Sequence, residues 1–243
     1  MTKFVQVFKR KKMKETLTIQ KLIEEAQSFC VNESKVANKE LYGVTDGKKV
    51  GTHIEHKFKE HLLMSYKTII GSSASGIDLP SPEINTDIKV TSINKPQSSC
   101  PYKDSKQKIF GLGYNLLVFV YDKKDDSTTK TSTLDFVSCS YVPEEFTADY
   151  STTRIINDMK KVESSVEDII AFLTGINLPA DDITKELIAT KIIESEIKNG
   201  CLTISNALQW RLSYSWICPN KDGKTKPLNS LEGVYNIFHK VTL

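Results

Sequence analysis

Hydrophobic residues recur at two spacings along the chain, and the change between the spacings separates predicted helices from predicted strands. Helical spacing predicts helices over residues 17–31, 52–66, 107–114, 153–174 and 183–199. Alternation or a short apolar run predicts strands over residues 84–91, 116–122, 134–142 and 201–217. This order of elements predicts an α/β fold with a central mixed β-sheet flanked by helices, followed by a C-terminal α+β elaboration.

Two helix boundaries are suggested by single residues. The glycine-bearing segment 43–51 is polar, so we expect the second helix to begin after it, with Thr52 as its N-cap. Gly200 follows the last predicted helix and is expected to end it, as glycine often does.

Length and composition are those of an ordinary globular protein. The chain has 243 residues, of which 39% are hydrophobic and 26% charged, so a disordered or collagen-like chain is excluded. No stretch approaches the ~20 apolar residues that a membrane span needs. The five cysteines are widely spaced and form no CxxC pair. We therefore expect a cytoplasmic protein with reduced cysteines and no membrane partner.

Charge and motifs narrow the function classes. The net charge of +3 is modest, but residues 9–14 form a dense basic run that suits either phosphate contact or a solvated helix start. The chain has no Walker A, GxGxxG, HExxH or GxSxG sequence. Nucleotide-driven, dehydrogenase, zinc-protease and esterase chemistries therefore have no starting point.

Asp78, Asp87 and Lys89 form the constellation best suited to chemistry. In the predicted strand 84–91, Asp87 and Lys89 project from the same face, about 7 Å apart. Asp78 precedes this strand in the segment GIDLP, and a hairpin-like return would bring it beside Asp87. Two converging carboxylates suit Mg²⁺, and a neighbouring ammonium can neutralise charge on a phosphate. The arrangement predicts metal-dependent phosphodiester hydrolysis.

These residues resemble the catalytic motif of the PD-(D/E)xK nuclease superfamily, here Asp78 followed by Asp87-Ile88-Lys89. The sequence departs from the usual motif in that Ile77 replaces proline and the second acid is aspartate. The resemblance implies a type II restriction endonuclease that cleaves double-stranded DNA at a short specific site. It also implies Mg²⁺ as cofactor with Mn²⁺ as a substitute, a homodimer, a bacterial cytoplasmic setting and a cognate DNA methyltransferase in the same system.

The same resemblance suggests a division of labour along the chain. We expect residues 1–150 to form the PD-(D/E)xK-like catalytic core. Residues 151–243 would add accessory helices and strands for DNA recognition or dimerisation, packed with the core as one compact domain.

Several restriction enzymes of this superfamily add a glutamate from a preceding helix. Glu55 lies at the edge of the apolar stripe of the predicted helix 52–66, and is our candidate for a further metal ligand and catalytic residue. A water-exposed helix glutamate is the plain alternative, and Glu60 is the competing position.

Two segments carry side chains suited to DNA. Lys95, Gln97, Ser98 and Ser99 follow the catalytic strand, and Asn206, Gln209 and Arg211 lie in the predicted strand 201–217. Lysine and serine can bind phosphate, whereas glutamine, asparagine and arginine can pair with base edges. The plain alternatives are an ordinary polar loop for the first segment and a structural ion pair for Arg211.

Two other functions remain open from the residues alone. One is a repair or structure-specific nuclease on the same core, and the other is a DNA-binding protein without catalysis. Discrete metal-dependent fragments of plasmid DNA would distinguish a restriction enzyme from both.

Overall fold

The structure is a computed structural model that describes residues 14–71, 76–95, 99–101, 104–205, 209–212 and 234–239. Its helices are α1 (Ile19–Glu33), α2 (Gly47–Ser65), α3 (Gln107–Phe110), α4 (Tyr150–Lys161), α5 (Val166–Gly175) and α6 (Asp182–Glu194). Its strands are β1 (Glu15–Thr16), β2 (Ala37–Asn38), β3 (Tyr66–Lys67), β4 (Thr86–Ser92), β5 (Ser99–Pro101), β6 (Asn115–Asp126), β7 (Thr131–Val142), β8 (Leu202–Ser205), β9 (Gln209–Leu212) and β10 (Tyr235–His239).

The central sheet has the strand order β10, β7, β6, β4. β4 runs parallel to β6, whereas β6, β7 and β10 are antiparallel neighbours, and β2 also pairs with β7. The predicted mixed sheet flanked by helices is therefore confirmed. β4, the strand predicted to carry Asp87 and Lys89, lies at one edge of the described sheet.

The two faces of the sheet pack against different elements. On one face, α1 and α2 bury an aromatic cluster in which neighbouring rings meet edge-to-face, with the rings of Phe58 and Phe119 centred 5.0 Å apart. On the other face, Leu116, Val118 and Val120 of β6 pack in one cluster with Leu202 of β8. Both faces of β6 are thus covered, which explains its continuous apolar run.

The start of α2 differs from the prediction. The helix begins at Gly47 with Asp46 as its N-cap, whose side chain accepts a hydrogen bond from the backbone N–H of Lys48, so Thr52 is not the cap. The polar, glycine-bearing segment 43–51 predicts that the helix begins after it, and this prediction is wrong. Gly51 is helical and packs against β4, where an added Cβ would be in ordinary contact, 3.7 Å from the Cβ of Val90.

The predicted helix 153–174 is in fact two helices, α4 and α5. Ser165 begins α5 with a reciprocal capping box to Asp168, and Glu163 between the helices has a positive φ of 54°. The last helix was expected to end at Gly200, but α6 ends at Glu194. At Gly200 a Cβ would lie only 2.1 Å from the carbonyl oxygen of Ala148, so this glycine serves a close backbone approach.

Residues from both predicted halves meet in the structure. β10 pairs with β7 in the central sheet, and the buried carboxylate of Asp149 accepts a hydrogen bond from the backbone N–H of Ile204 at 2.7 Å. The division into residues 1–150 and 151–243 stays a prediction. Among the helices that the structure describes, none is both long and apolar enough to cross a membrane.

Candidate active site

Asp78 is joined to β4 by a hairpin-like return. Leu79 and Thr86 exchange two backbone hydrogen bonds of 2.9 and 3.0 Å, so the chain folds back on itself directly after Asp78. Asp78 Oδ2 then accepts a hydrogen bond from the backbone N–H of Ile88 at 2.8 Å. The return predicted from the sequence is present, and it places the first acid against the middle of β4.

Asp87 and Lys89 lie together as alternation predicts. Lys89 Nζ is 2.6 Å from Asp87 Oδ2, and the side chains are 19% and 6% exposed. The carboxyl groups of Asp78 and Asp87 hydrogen-bond to each other. The three residues of the predicted motif therefore form one cluster at the edge of the sheet.

The two carboxyl groups differ in acidity because their surroundings differ. Burial raises the pKa of Asp87 to about 7, and the hydrogen bond to Asp78 adds to this rise while the charge of Lys89 opposes it. Burial also acts to raise the pKa of Asp78, but hydrogen bonds from Asp87, Lys59 and the Ile88 amide outweigh it and hold the pKa below its usual range. Below about pH 7 the metal-free pair therefore shares a proton, held mainly by Asp87.

Lys59 is a further member of the site that sequence reasoning missed. This lysine of α2 is buried, and its ammonium group lies 2.6 Å from Glu55 Oε1 and 2.5 Å from Asp78 Oδ1. Burial acts to lower its pKa, but the hydrogen bonds to Asp78 and Glu55 outweigh this and raise it. The only sequence signal was the spacing of Glu55 and Lys59, which is also typical of exposed helix pairs.

Glu55 and Glu60 have different surroundings on α2. Glu60 is exposed, whereas Glu55 is partly buried and reaches the site through Lys59. Lys59 bonds to both Glu55 and Asp78, so Glu55 lies one ammonium group away from the aspartate pair. This placement favours Glu55 over the competing position.

Asp78 and Asp87 offer Mg²⁺ a donor set of two carboxyl groups. Among the residues described, no three acidic, histidine or cysteine side chains are grouped closely enough to form a preformed metal site. Mg²⁺ does not require such a cage, because it binds through one or two carboxylates and completes its shell with water and phosphate oxygens. The contacting carboxyl groups of Asp78 and Asp87 meet that requirement.

The predicted DNA-binding residues are described only in part. Lys95 is exposed beyond the end of β4. Gln97, Ser98 and Asn206 lie outside the described residues. For Ser99, Gln209 and Arg211 the backbone alone is described: β5 pairs antiparallel with β9, with Ser99 opposite Arg211. Within the described residues, the two segments predicted to contact DNA thus contribute neighbouring strands to one small sheet.

A family profile and a curated protein, compared with the chain separately, both point to type II restriction enzymes. The profile of the family described as type II restriction enzyme NspV matches residues 16–229. The type II restriction enzyme NspV of Nostoc sp. (strain ATCC 29411 / PCC 7524) is 52% identical over 198 residues, which cover 82% of this chain and 89% of that protein. No solved structure matches the chain. The chain belongs to the NspV family of type II restriction enzymes, which are site-specific deoxyribonucleases.

Proposed function

We propose that Asp78, Asp87 and Lys89 form the centre with which this enzyme hydrolyses phosphodiester bonds of double-stranded DNA at a short specific site. The observation that carries the proposal is the contact between the two carboxyl groups, with Lys89 Nζ 2.6 Å from Asp87. Membership of the NspV family supports a restriction enzyme over a structure-specific nuclease or a DNA-binding protein without catalysis.

Asp78 and Asp87 would hold Mg²⁺, with Mn²⁺ as a substitute. When bound, the metal ion supplies a more acidic water molecule and neutralises charge on the phosphate. Asp78 is held against the Ile88 amide, so its carboxylate is positioned before metal and DNA arrive. Asp87 would be ionised as a metal ligand, because a cation favours the ionised carboxylate.

Lys89 would act on the substrate directly. Its ammonium group lies on the same face of β4 as Asp87. It would therefore lie beside a DNA phosphate bound to the metal ion at the two carboxylates. There it can donate hydrogen bonds to a phosphate oxygen or to the attacking water, and its charge stabilises the negative charge that develops in the transition state.

Glu55 would assist as a ligand or as a partner that orients the site. Its carboxylate is bonded to Lys59, which in turn is bonded to Asp78. A substitution that breaks this series of hydrogen bonds would therefore move Asp78, even where Glu55 does not itself touch the metal.

DNA recognition would use residues 95–99 and the segment that contains β9. Lys95, Ser98 and Ser99 are suited to phosphate contact, and Gln97 to a base edge. Pairing of β5 with β9 supports a shared DNA-contacting surface that includes Gln209 and Arg211, with Asn206 just before β9.

A homodimer is part of the proposal. A palindromic site presents the same phosphodiester once on each strand, so two identical active sites related by a two-fold axis would cut both strands. Sedimentation of the DNA-free protein would give the mass of two chains. A cognate DNA methyltransferase is expected in the same restriction system, acting on the same DNA sequence rather than as a stable subunit.

Incubation with plasmid and bacteriophage DNA tests the proposal. With Mg²⁺ or Mn²⁺ we expect a fixed set of fragments whose sequenced ends share one motif, and with EDTA we expect intact DNA. Cleavage only at junctions or damaged positions, or DNA that is retarded but uncut, would contradict the proposal.

A further inference from the structure

Lys59 occupies the position between two of the proposed metal-binding carboxylates. Its ammonium group bonds to Glu55 Oε1 at 2.6 Å and to Asp78 Oδ1 at 2.5 Å, and the residue is only 8% exposed. Both are charge-assisted hydrogen bonds, which are the stronger class. A cation therefore already occupies this part of the site before any metal ion binds.

Asp78 has a polar partner on each of its oxygens. Oδ1 accepts from Lys59 and Oδ2 accepts from the backbone N–H of Ile88. A metal ion that binds Asp78 through Oδ1 would come within a few ångströms of the Lys59 ammonium group. Two cations at that distance in a site shielded from water repel each other strongly.

The sum of the charges in the cluster also indicates that Lys59 opposes metal binding. Glu55, Asp78 and Asp87 contribute three negative charges when ionised, and Lys59 and Lys89 contribute two positive ones, which leaves −1. A divalent cation would change this sum to +1. Without Lys59 the sum would be −2 and the same cation would bring it to zero, a more favourable outcome for metal binding.

We propose that Lys59 is a positioning residue that competes with the divalent metal for Asp78 and Glu55. In the metal-free enzyme it holds the two carboxylates in place, and metal binding requires its ammonium group to move away from Asp78. This inference rests on the proposed function, because it takes Asp78 as a metal ligand.

Lys57 provides a matched control on the same helix. It is a partly buried lysine two positions away whose ammonium group bonds to Glu33 at 2.6 Å and to Asn38 at 3.1 Å. Loss of Lys57 removes a buried ion pair of α2 without changing the charge that faces Asp78.

The test measures Mn²⁺ binding to the DNA-free protein from the paramagnetic resonance signal of the free ion. We expect Lys59→Met to bind Mn²⁺ about tenfold more tightly than the wild type or tighter, because a neighbouring like charge has been removed. Lys57→Met should bind as the wild type does. Lys59→Gln, which keeps a hydrogen-bonding group without the charge, should also bind more tightly, and it serves where Lys59→Met does not fold.

Thermal unfolding provides a second readout. Without metal, Lys59→Met should unfold at a lower temperature than the wild type, because Glu55 and Asp78 then lose the positive charge between them. Added Mn²⁺ should raise its unfolding temperature more than that of the wild type. A purely structural lysine would lower stability without tightening metal binding.

Asp78→Asn separates failure of this inference from failure of the proposed function. If Asp78→Asn abolishes Mn²⁺ binding but Lys59→Met and Lys59→Gln bind no more tightly than the wild type, the role of Lys59 is wrong and the metal centre stands. If Asp78→Asn leaves Mn²⁺ binding unchanged, Asp78 is not a ligand and both proposals are overturned.

Discussion

The carboxylate of Asp78 accepts a hydrogen bond from the backbone N–H of Ile88 at 2.8 Å. This bond links an acid from the connecting segment to the strand that carries Asp87 and Lys89, across the edge of the sheet. It needs no metal ion, so the two acids are held together in advance. Preorganisation of this kind reduces the rearrangement needed when DNA and metal bind.

Lys89→Gln should reduce the single-turnover cleavage rate by about 100-fold or more, because it removes a charge proposed to stabilise the transition state. Mn²⁺ binding by the same variant should persist, since Asp78 and Asp87 remain. Lys124→Gln is the control, because Lys124 is exposed and lies 3.7 Å from Asp122 in an ordinary surface pair. An unchanged cleavage rate in Lys89→Gln would remove this lysine from the mechanism.

Glu55→Gln should lower the cleavage rate by about tenfold or more, because it disturbs the contact through Lys59 to Asp78. Glu60→Gln should cleave at the wild-type rate, since Glu60 is exposed on the same helix. The two variants are compared in the same single-turnover assay. Equal rates for both would show that Glu55 is an ordinary helix residue.

Asp87 should make the metal-free protein less stable as pH rises. Its pKa is about 7 in the folded protein against 3.8 for an ordinary aspartate, so its contribution to stability is full below pH 4 and is lost as pH rises to about 7. In EDTA, Asp87→Asn should therefore gain stability relative to the wild type between pH 5 and pH 8, as measured by urea denaturation.

The control for this pH effect is Asp158→Asn. Asp158 pairs with Lys161 at the surface, and this hydrogen bond lowers its pKa. A carboxyl group with a lowered pKa contributes its full stabilisation at any pH above its pKa in the unfolded chain. The difference in the free energy of unfolding between Asp158→Asn and the wild type should therefore not change with pH above pH 5. A flat difference for Asp87→Asn as well would contradict the burial of its carboxyl group.

Gly200→Ala should destabilise the protein by about 2 kcal/mol or more, because backbone atoms would have to shift to admit a methyl group. The added Cβ would lie 2.1 Å from the carbonyl oxygen and 2.2 Å from the carbonyl carbon of Ala148. Gly47→Ala, where nothing lies within 4 Å of the added Cβ, should leave the free energy of unfolding unchanged or slightly higher. Equal stability of the two variants would contradict the close approach at Gly200.

The sequence predicted the core of the site because strand alternation is a local property. Asp87 and Lys89 share a face of β4 wherever that strand lies. The segment between Asp78 and Asp87 is short, so a hairpin-like return is the simplest way for it to connect them. Lys59 was missed because its role depends on how α2 packs against the return that carries Asp78. A spacing of four residues between Glu55 and Lys59 cannot reveal a third partner from another element.

Some helix boundaries also depend on tertiary contacts that local sequence patterns do not reveal. The sequence around Ser165 and Asp168 has the spacing of a capping box, which is a local signal that separates α4 from α5. The start of α2 was harder to predict from the sequence, because glycine normally disfavours a helix. Burial of Val50 in the core offsets that preference, and such a tertiary contact is not visible in the sequence alone.

Cleavage by Asp87→Ala measures the central claim most directly. The variant is compared with the wild type and with Asp158→Ala, a substitution at an exposed ion pair, in both DNA cleavage with Mg²⁺ and DNA binding with EDTA. We predict that Asp87→Ala loses cleavage by about 1,000-fold or more while it still binds DNA, and that Asp158→Ala behaves as the wild type. Cleavage by Asp87→Ala at the wild-type rate would contradict the assignment of the active site.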